Sequence, residues 1–470
     1  MSSYQTVLFF TLIILVSWFV SALQTSLLIS DYSRGTDRYL NLATVENIRN
    51  SQFNESLAHL LKTSNINSPD LEKLCKSHLE NSADVQAIHN DYLCLAKIEF
   101  NRNKLSNGIY FLSKAQDLTY SQATEIILNK ALADQEVLTS EQLNEIAKDP
   151  LHKKSGLANY RLSIIKQLGR TDSRFTRHID IQKAFEYRKK ATKLLNITPQ
   201  DDVNIAMTFD SKYHKYALTS MLSMLLSSNI DSKYSFYIIH NGESLTEKEM
   251  SQIKNLQKLA DFNLTFTKVP EMEGSLKHVC NIRQSRIDRF SKYTLWRIKL
   301  HDTLPPIDKV IYIDPDTIIL SDLTLLYRQD LQNNLIGAVP EQGIYHLNNK
   351  LDRSNSTYPY FNAGLLLLDL KNIRKSKIIE NQLSKKSNFD CTYPDQDILN
   401  HTFQKDTFYL GYNWNRVARK SQQYQPNILP NIIHFSGINK PDMENAALFI
   451  TPEFLEFYNG YKSFVDQTQN

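Results

Sequence analysis

The sequence predicts an α/β domain built on a mostly parallel central sheet, preceded by an all-α helical domain and an apolar N-terminal segment. Three observations predict this. Beyond Asp202 short apolar runs alternate with helix-like stretches, the pattern of a parallel sheet covered by helices. From about Leu40 to Leu195 apolar residues recur at three- and four-residue spacing, with little Gly or Pro. Val7 to Leu23 carries no charge at all. With 470 residues, the chain exceeds the roughly 250 to 300 that one hydrophobic core covers, so two or three folded units are expected. Its 41% hydrophobic and 22% charged residues exclude disorder over most of its length. A formal charge of +4, from 54 basic and 50 acidic residues, leaves no concentrated basic patch, so nucleic acid is not expected as a partner.

In chain order, residues 1–30 come first. The run VLFFTLIILVSWFVSAL is long enough to cross a bilayer as a helix, which predicts a transmembrane anchor and a single-pass membrane protein. The rival is a secretory signal cleaved after Val20-Ser21-Ala22, but no Lys or Arg precedes the run. Arg34, Arg38 and Arg49 follow it, and the positive-inside rule then places the catalytic part on the cytoplasmic face of a bacterial inner membrane. A Golgi lumen is the alternative, with Asn54 and Asn355 in glycosylation-type triplets.

Residues 31–200 form the helical domain. Ala87 to Leu118 and Gly156 to Leu195 resemble each other, each a helix, a polar turn and a second helix containing a Lys-Ala pair. Ala96, Ala115, Ala184 and Ala191 would let paired helices approach closely. The region resembles tetratricopeptide or Sel1-like repeats, which would imply a protein partner; a generic helical bundle is the alternative. Cys75, Cys94, Cys280 and Cys391 contain no C-x-x-C pair and read as buried thiols, with a Cys75 to Cys94 bridge left open.

A polar linker, Thr198 to Asp202, opens the domain at 201–470. Val203 to Thr208, Tyr234 to His240, Leu264 to Val269, Lys309 to Ile313, Leu335 to Val339 and Gly364 to Leu370 read as strands. Lys309 to Ile313 runs directly into Asp314-Pro315-Asp316, so two carboxylates sit at a strand's carboxyl end, where such sheets bind ligands. Together they could hold a hard cation such as Mn²⁺ or Mg²⁺. Far downstream, Ile432-Ile433-His434-Phe435-Ser436-Gly437-Ile438-Asn439-Lys440-Pro441 delivers a third ligand type, a glycine that permits close backbone approach, and a cation suited to phosphate oxygens. Taken singly, the aspartates could be a turn, His434 a core histidine and Lys440 a solvated charge.

From Val203 to Pro441 the order of segments resembles the family 8 glycosyltransferases, which include bacterial lipopolysaccharide galactosyl- and glucosyltransferases and glycogenin. The resemblance implies a GT-A-type nucleotide-sugar-binding domain. It implies Asp314, Asp316 and His434 as ligands of Mn²⁺ (or Mg²⁺), with Lys440 and Gly437 at the diphosphate of a UDP-sugar. In Ala206 to Tyr213, Thr208 and Asp210 would face the nucleoside and Tyr213 would stack on uracil. Arg297, on a helix before the Asp-x-Asp strand, would contact the donor sugar and nearby acids. Asn362 and Gly364 would meet the sugar, Asp395 its hydroxyls, and Gln396 would lie nearest the reacting face. The reaction implied is retaining transfer of a hexose, glucose or galactose, to a glycan, glycolipid or lipopolysaccharide acceptor. Asp442 departs from the aromatic residue frequent there, and nothing between Glu341 and Tyr358 is assigned. Two other classes compete, a non-catalytic helical scaffold with a degenerate transferase domain and a metal-dependent phosphoesterase. The phosphoesterase would need more ligands and no nucleoside-binding opening.

Overall fold

The structure, a computed structural model, describes scattered residues between 92 and 148 and then residues 155–168, 179–196, 201–269, 281–282, 292–342, 358–384, 390–420 and 429–469. All of them belong to the unit Asn67–Asn470. Its centre is a seven-stranded sheet in the order β10-β7-β8-β5-β1-β2-β3. The strands are β1 (Asp201–Thr208), β2 (Ser232–His240), β3 (Asn263–Lys268), β5 (Lys309–Ile313), β7 (Ile336–Pro340), β8 (Phe361–Asp369) and β10 (Thr407–Tyr409). Val203, Ile205, Ala206, Met207, Val310, Ile311, Tyr312 and Ile313 are fully buried. Strands covered on both faces lose the alternation of half-exposed ones, which is why they read as unbroken apolar runs.

All pairings are parallel except those of β8, which runs antiparallel to both β5 and β7. The mostly parallel α/β arrangement is therefore present, with one reversed strand. That reversal matters for the site. It brings the first residues of β8 to the same sheet edge as the last residues of β5 and β7. A second, three-stranded sheet, β11 (Arg416–Val417), β12 (Ile432–His434) and β6 (Thr317–Ile319), pairs β12 antiparallel to β6 and sets His434 opposite Thr317. A short parallel pair joins β4 (Asn281–Ile282) to β9 (Asp390–Cys391).

Helices α1 (Ser155–Leu168) and α2 (Ile181–Leu195) pack on the α/β domain. The Asp180 side chain caps α2 by accepting from Lys183 N, and Asn196 ends it in the left-handed conformation at φ 46°. Next comes α3 (His214–Ser227), buried almost throughout and apolar on most sides. Its serines serve β6, an edge strand: Ser223 Oγ accepts from Ile319 N at 2.9 Å and Ser227 Oγ donates to Ile319 O at 2.7 Å. The end of α3 is gripped in turn by the preceding helices. Buried Arg188 of α2 donates to Ser228 Oγ at 2.8 Å, Asn229 O at 3.2 Å and Leu226 O at 3.4 Å, while Tyr160 Oη donates to Asn229 Oδ1 at 3.0 Å. Gln167 reaches Tyr461 Oη, at 3.1 Å, on the C-terminal helix Pro452–Gln469. Arg188→Ala removes all three bonds; Asn229 O keeps the one from Ser232 N at 3.1 Å, so the loss falls on Ser228 Oγ and Leu226 O, and each buried group that loses its partner costs about 1 to 3 kcal/mol. The expected loss is about 3 kcal/mol, read as a lower midpoint in urea unfolding.

Two expectations are corrected. Among the described residues no helix is long and apolar enough to cross a membrane, which overturns the single-pass assignment and the cytoplasmic-face placement built on it. The long C-terminal helix, for example, carries Glu453, Glu456, Lys462 and Asp466. The Val7 to Leu23 run itself lies outside the described residues, as does most of the proposed repeat. Cys94 and Cys391 are not thiols but disulfide-bonded cysteines. The sequence leaves a bridge at Cys94 open, whereas no C-x-x-C pair marks Cys391 for one.

Candidate active site

Strand β5 ends just before Asp314, whose backbone N–H donates to Gly364 O at 2.8 Å, and the turn through Pro315 and Asp316 leads straight into β6. Because β6 pairs with β12, the Phe435 N–H bonds to Asp316 O at 2.9 Å and His434 arrives beside both aspartates. His434 Nε2 lies 3.5 Å from Asp316 Oδ1 and 3.7 Å from Asp314 Oδ2. One ligand atom from each of the three lies within 4.8 Å of the others, so the group could hold a metal ion. His301, Asp302 and Glu380 have similar reach, but both of those carboxylates are exposed. In the Asp314, Asp316 and His434 group, two members are buried, and two anions with an imidazole in one dry place call for a cation.

Part of that need is met by the protein. Lys440 Nζ bonds to Asp316 Oδ2 and donates to Phe435 O at 3.0 Å. Burial would raise the Asp316 carboxyl, but the Lys440 ammonium beside it overrules that and holds it well below the carboxylate range. The same ammonium lies 5.2 Å from the centre of the Tyr213 ring, over its face. Gly437, at φ 92°, takes a left-handed turn between His434 and Lys440 that other residues adopt only under strain.

Arg297 lies on a 3-10 helix, Lys292–Lys299, and is 5% exposed. Its Nη2 and Nη1 fork Asp314 at 2.8 and 3.3 Å, Nη1 donates to Ala363 O at 3.0 Å, and Nε lies 3.2 Å from Asp395 Oδ2. Stacking 4.7 Å over Tyr312, the guanidinium ties Asp314 to Asp395. Burial pushes the Asp395 carboxyl up, and Arg297 opposes that rise. Asp395 and Gln396 open the helix Pro394–Phe403. Gln396 Oε1 accepts from Ala363 N at 2.9 Å. Asp397 is structural, because it accepts from Thr392 N, Tyr393 N and Tyr360 Oη at 2.7, 2.8 and 2.6 Å.

The strand ends thus bring Arg297, Asp314, Asp316, Asn362, Gly364, Asp395, Gln396, His434 and Lys440 into one connected group, with Tyr213 at its rim. Thr208 and Asp210 are placed differently. The Thr208 hydroxyl is committed to Tyr293 O at 2.9 Å, and Asp210 Oδ1 accepts from Lys212 N at 3.1 Å. Gly364 touches the ligand cluster itself: a Cβ there would lie 2.2 Å from His434 Cε1 and 2.8 Å from Asp314 Oδ2. Asp442, the departure from the family pattern, accepts from Tyr216 Oη and Lys215 Nζ, and Tyr216 packs on Tyr213 at 5.6 Å. Two residues escaped sequence reasoning. Glu341, just past β7, accepts from Asn362 Nδ2 at 2.6 Å and lies 3.4 Å from Gln396 Nε2, while Asn415 lies 2.8 Å from His434 Nδ1 and 2.9 Å from Asn362 Oδ1. The position of Glu341 at a strand's carboxyl end was the available signal for it; Asn415 had none.

Residues 204–445 match the glycosyl transferase family 8 profile. The chain belongs to this family. Among curated relatives, a putative glycosyltransferase of Haemophilus influenzae is 27% identical over 248 residues, covering 51% of this chain and 72% of its own. The lipopolysaccharide 1,2-glucosyltransferase of Escherichia coli is 25% identical over 285 residues, covering 56% of this chain and 78% of its own. Among solved structures, the galactosyltransferase LgtC with donor and acceptor sugar analogues aligns at a TM-score of 0.45 and 23% identity, covering 56% of this chain and 96% of that one. The family 8 match starts inside β1 and ends past Lys440, so it encloses every site residue named above.

Proposed function

We propose that the domain at 201–470 transfers a hexose, glucose or galactose, from a UDP-sugar to a glycan or lipopolysaccharide-type acceptor with retention of anomeric configuration. The observation that carries this is the convergence of Asp314, Asp316 and His434 with Lys440 beneath Tyr213, in a family 8 chain. Asp314, Asp316 and His434 would hold Mn²⁺ or Mg²⁺, which when bound would supply a Lewis acid for the diphosphate. Tyr213 offers a ring face to uracil, flanked by Asp210 and by a strand end that Thr208 shapes. Lys440 turns its ammonium from Asp316 to a phosphate oxygen, placing fixed positive charge where the leaving group gains negative charge. Gly437 lets the backbone of that turn close on the same oxygens.

On the sugar side Asn362, Asp395 and Gln396 line the donor, and Glu341 holds the two amides in place. Arg297 holds Asp395 in place and opposes the rise that burial gives its carboxyl, and that ion pair suits binding of sugar hydroxyls better than attack on the anomeric carbon. Incubating the purified chain with Mn²⁺ and UDP-glucose or UDP-galactose should release UDP, faster with acceptor than without. No release from any UDP-hexose, with or without glycan acceptors, would refute this assignment.

A further inference from the structure

We infer that Asn415 is a positioning residue that selects the tautomer of His434 and so aims its Nε2 lone pair at Asp314 and Asp316. The donors and acceptors are forced from one end. A backbone N–H can only donate, and that of Gly364 donates to Asn362 Oδ1 at 2.8 Å. This turns the Asn362 amide nitrogen toward Glu341, where it donates to Oε2 at 2.6 Å. Asn362 Oδ1 has a second lone pair, which Asn415 Nδ2 fills at 2.9 Å. Asn415 must therefore turn its own oxygen the other way, to His434 Nδ1 at 2.8 Å. A carbonyl oxygen accepts only, so neutral His434 carries its proton on Nδ1 and presents a bare Nε2 to two carboxylates.

Asn415 is 1% exposed, so no solvent competes for its oxygen. It closes the 3-10 turn Tyr412–Asn415, and β11 begins at the next residue, pairing Arg416 with Ile433. The histidine therefore ends one strand of the small sheet, and its orienting amide immediately precedes the neighbouring strand. The hydrogen bonds run without a break from Glu341 through Asn362 and Asn415 to His434, joining the sugar-side residues to the ligand cluster. The inference rests on reading Asp314, Asp316 and His434 as a metal site.

Its test is Mn²⁺ binding to the purified chain, measured by calorimetry without nucleotide. Asn415→Leu, nearly the same size, should weaken binding about 10- to 100-fold, the range found when the outer partner of a ligating histidine is lost. Asn415→Asp keeps an acceptor for Nδ1 but sets its other oxygen against Asn362 Oδ1, so it should bind more weakly than wild type yet clearly more tightly than Asn415→Leu, which a merely space-filling role does not explain. Wild-type affinity in Asn415→Leu, or equal losses in both variants, would overturn the inference. If Asn415→Leu does not fold, ¹⁵N spectra of the imidazoles in the metal-free wild type decide, since a His434 protonated on Nε2 alone also overturns it. A wild-type chain that binds no Mn²⁺ removes the metal reading and this inference with it.

Discussion

Gly364→Ala should abolish Mn²⁺ binding and lower UDP release at least about a hundredfold. The new Cβ would lie 2.2 Å from His434 Cε1, 2.8 Å from Asp314 Oδ2 and 2.9 Å from Asn362 Oδ1. None of these can yield cheaply. His434 is held by Asn415 and by its place in β12, Asp314 by the Arg297 fork, and Asn362 by Glu341 and the Gly364 N–H itself. Something must move by about 1 Å, and misplacements of that size cost on the order of a hundredfold in rate. Overpacking a filled core also costs about 1 to 3 kcal/mol, so the variant should unfold at lower urea. Mn²⁺ titration and steady-state UDP release in the folded variant check the first claim. Activity within tenfold of wild type would show that Gly364 does not touch the working site.

Asp316→Asn should be equally inactive but for a different reason. The amide retains the shape and can still accept from Lys440 Nζ, yet it is a poor ligand for a hard cation and no longer balances the ammonium. Removing one member of a fully buried ion pair costs about 3 to 5 kcal/mol; here Lys440 is only part-buried and an acceptor is retained, so about 1 to 2 kcal/mol is expected. The sign with pH follows from Asp316 being held below its ordinary value of 3.8. Its stabilisation is fully present above that value and is lost as pH falls through the lower folded value. Between pH 5 and 8 the stability gap between wild type and Asp316→Asn should therefore stay flat. Urea unfolding at three pH values and Mn²⁺-dependent UDP release check both parts, and retained Mn²⁺-dependent turnover would remove Asp316 from the metal site.

Much of this architecture is legible in the sequence because buried parallel strands are apolar without interruption. Six expected strands fall within two or three residues of β1, β2, β3, β5, β7 and β8. The direction of β8 was not legible, since four consecutive leucines buried on both faces say nothing about which end meets the ligand. Asp314, Asp316, His434 and Lys440 could be found because each is a chemically distinctive residue at a strand end or turn. Asn415 and Glu341 could not, because an amide or a carboxylate acquires its role only from neighbours that the fold supplies. The disulfide of Cys391 belongs to the same class. Asp442 looked like a defect in the pattern and proves to be a bonding partner of the helix that follows Tyr213.

That helix, α3, is held at both ends, by Arg188, Tyr160 and Gln167 at its C-terminus and by Asp442 at its first turn. Its 14 residues make a rod about 21 Å long. Pivoted about the gripped end, a tilt of only about 3° carries the first turn, and Tyr213 with it, by roughly 1 Å. Helices α1 and α2 and the proposed nucleotide-binding opening at Tyr213 are thus connected in mechanical series, and a load on one is delivered to the other as leverage.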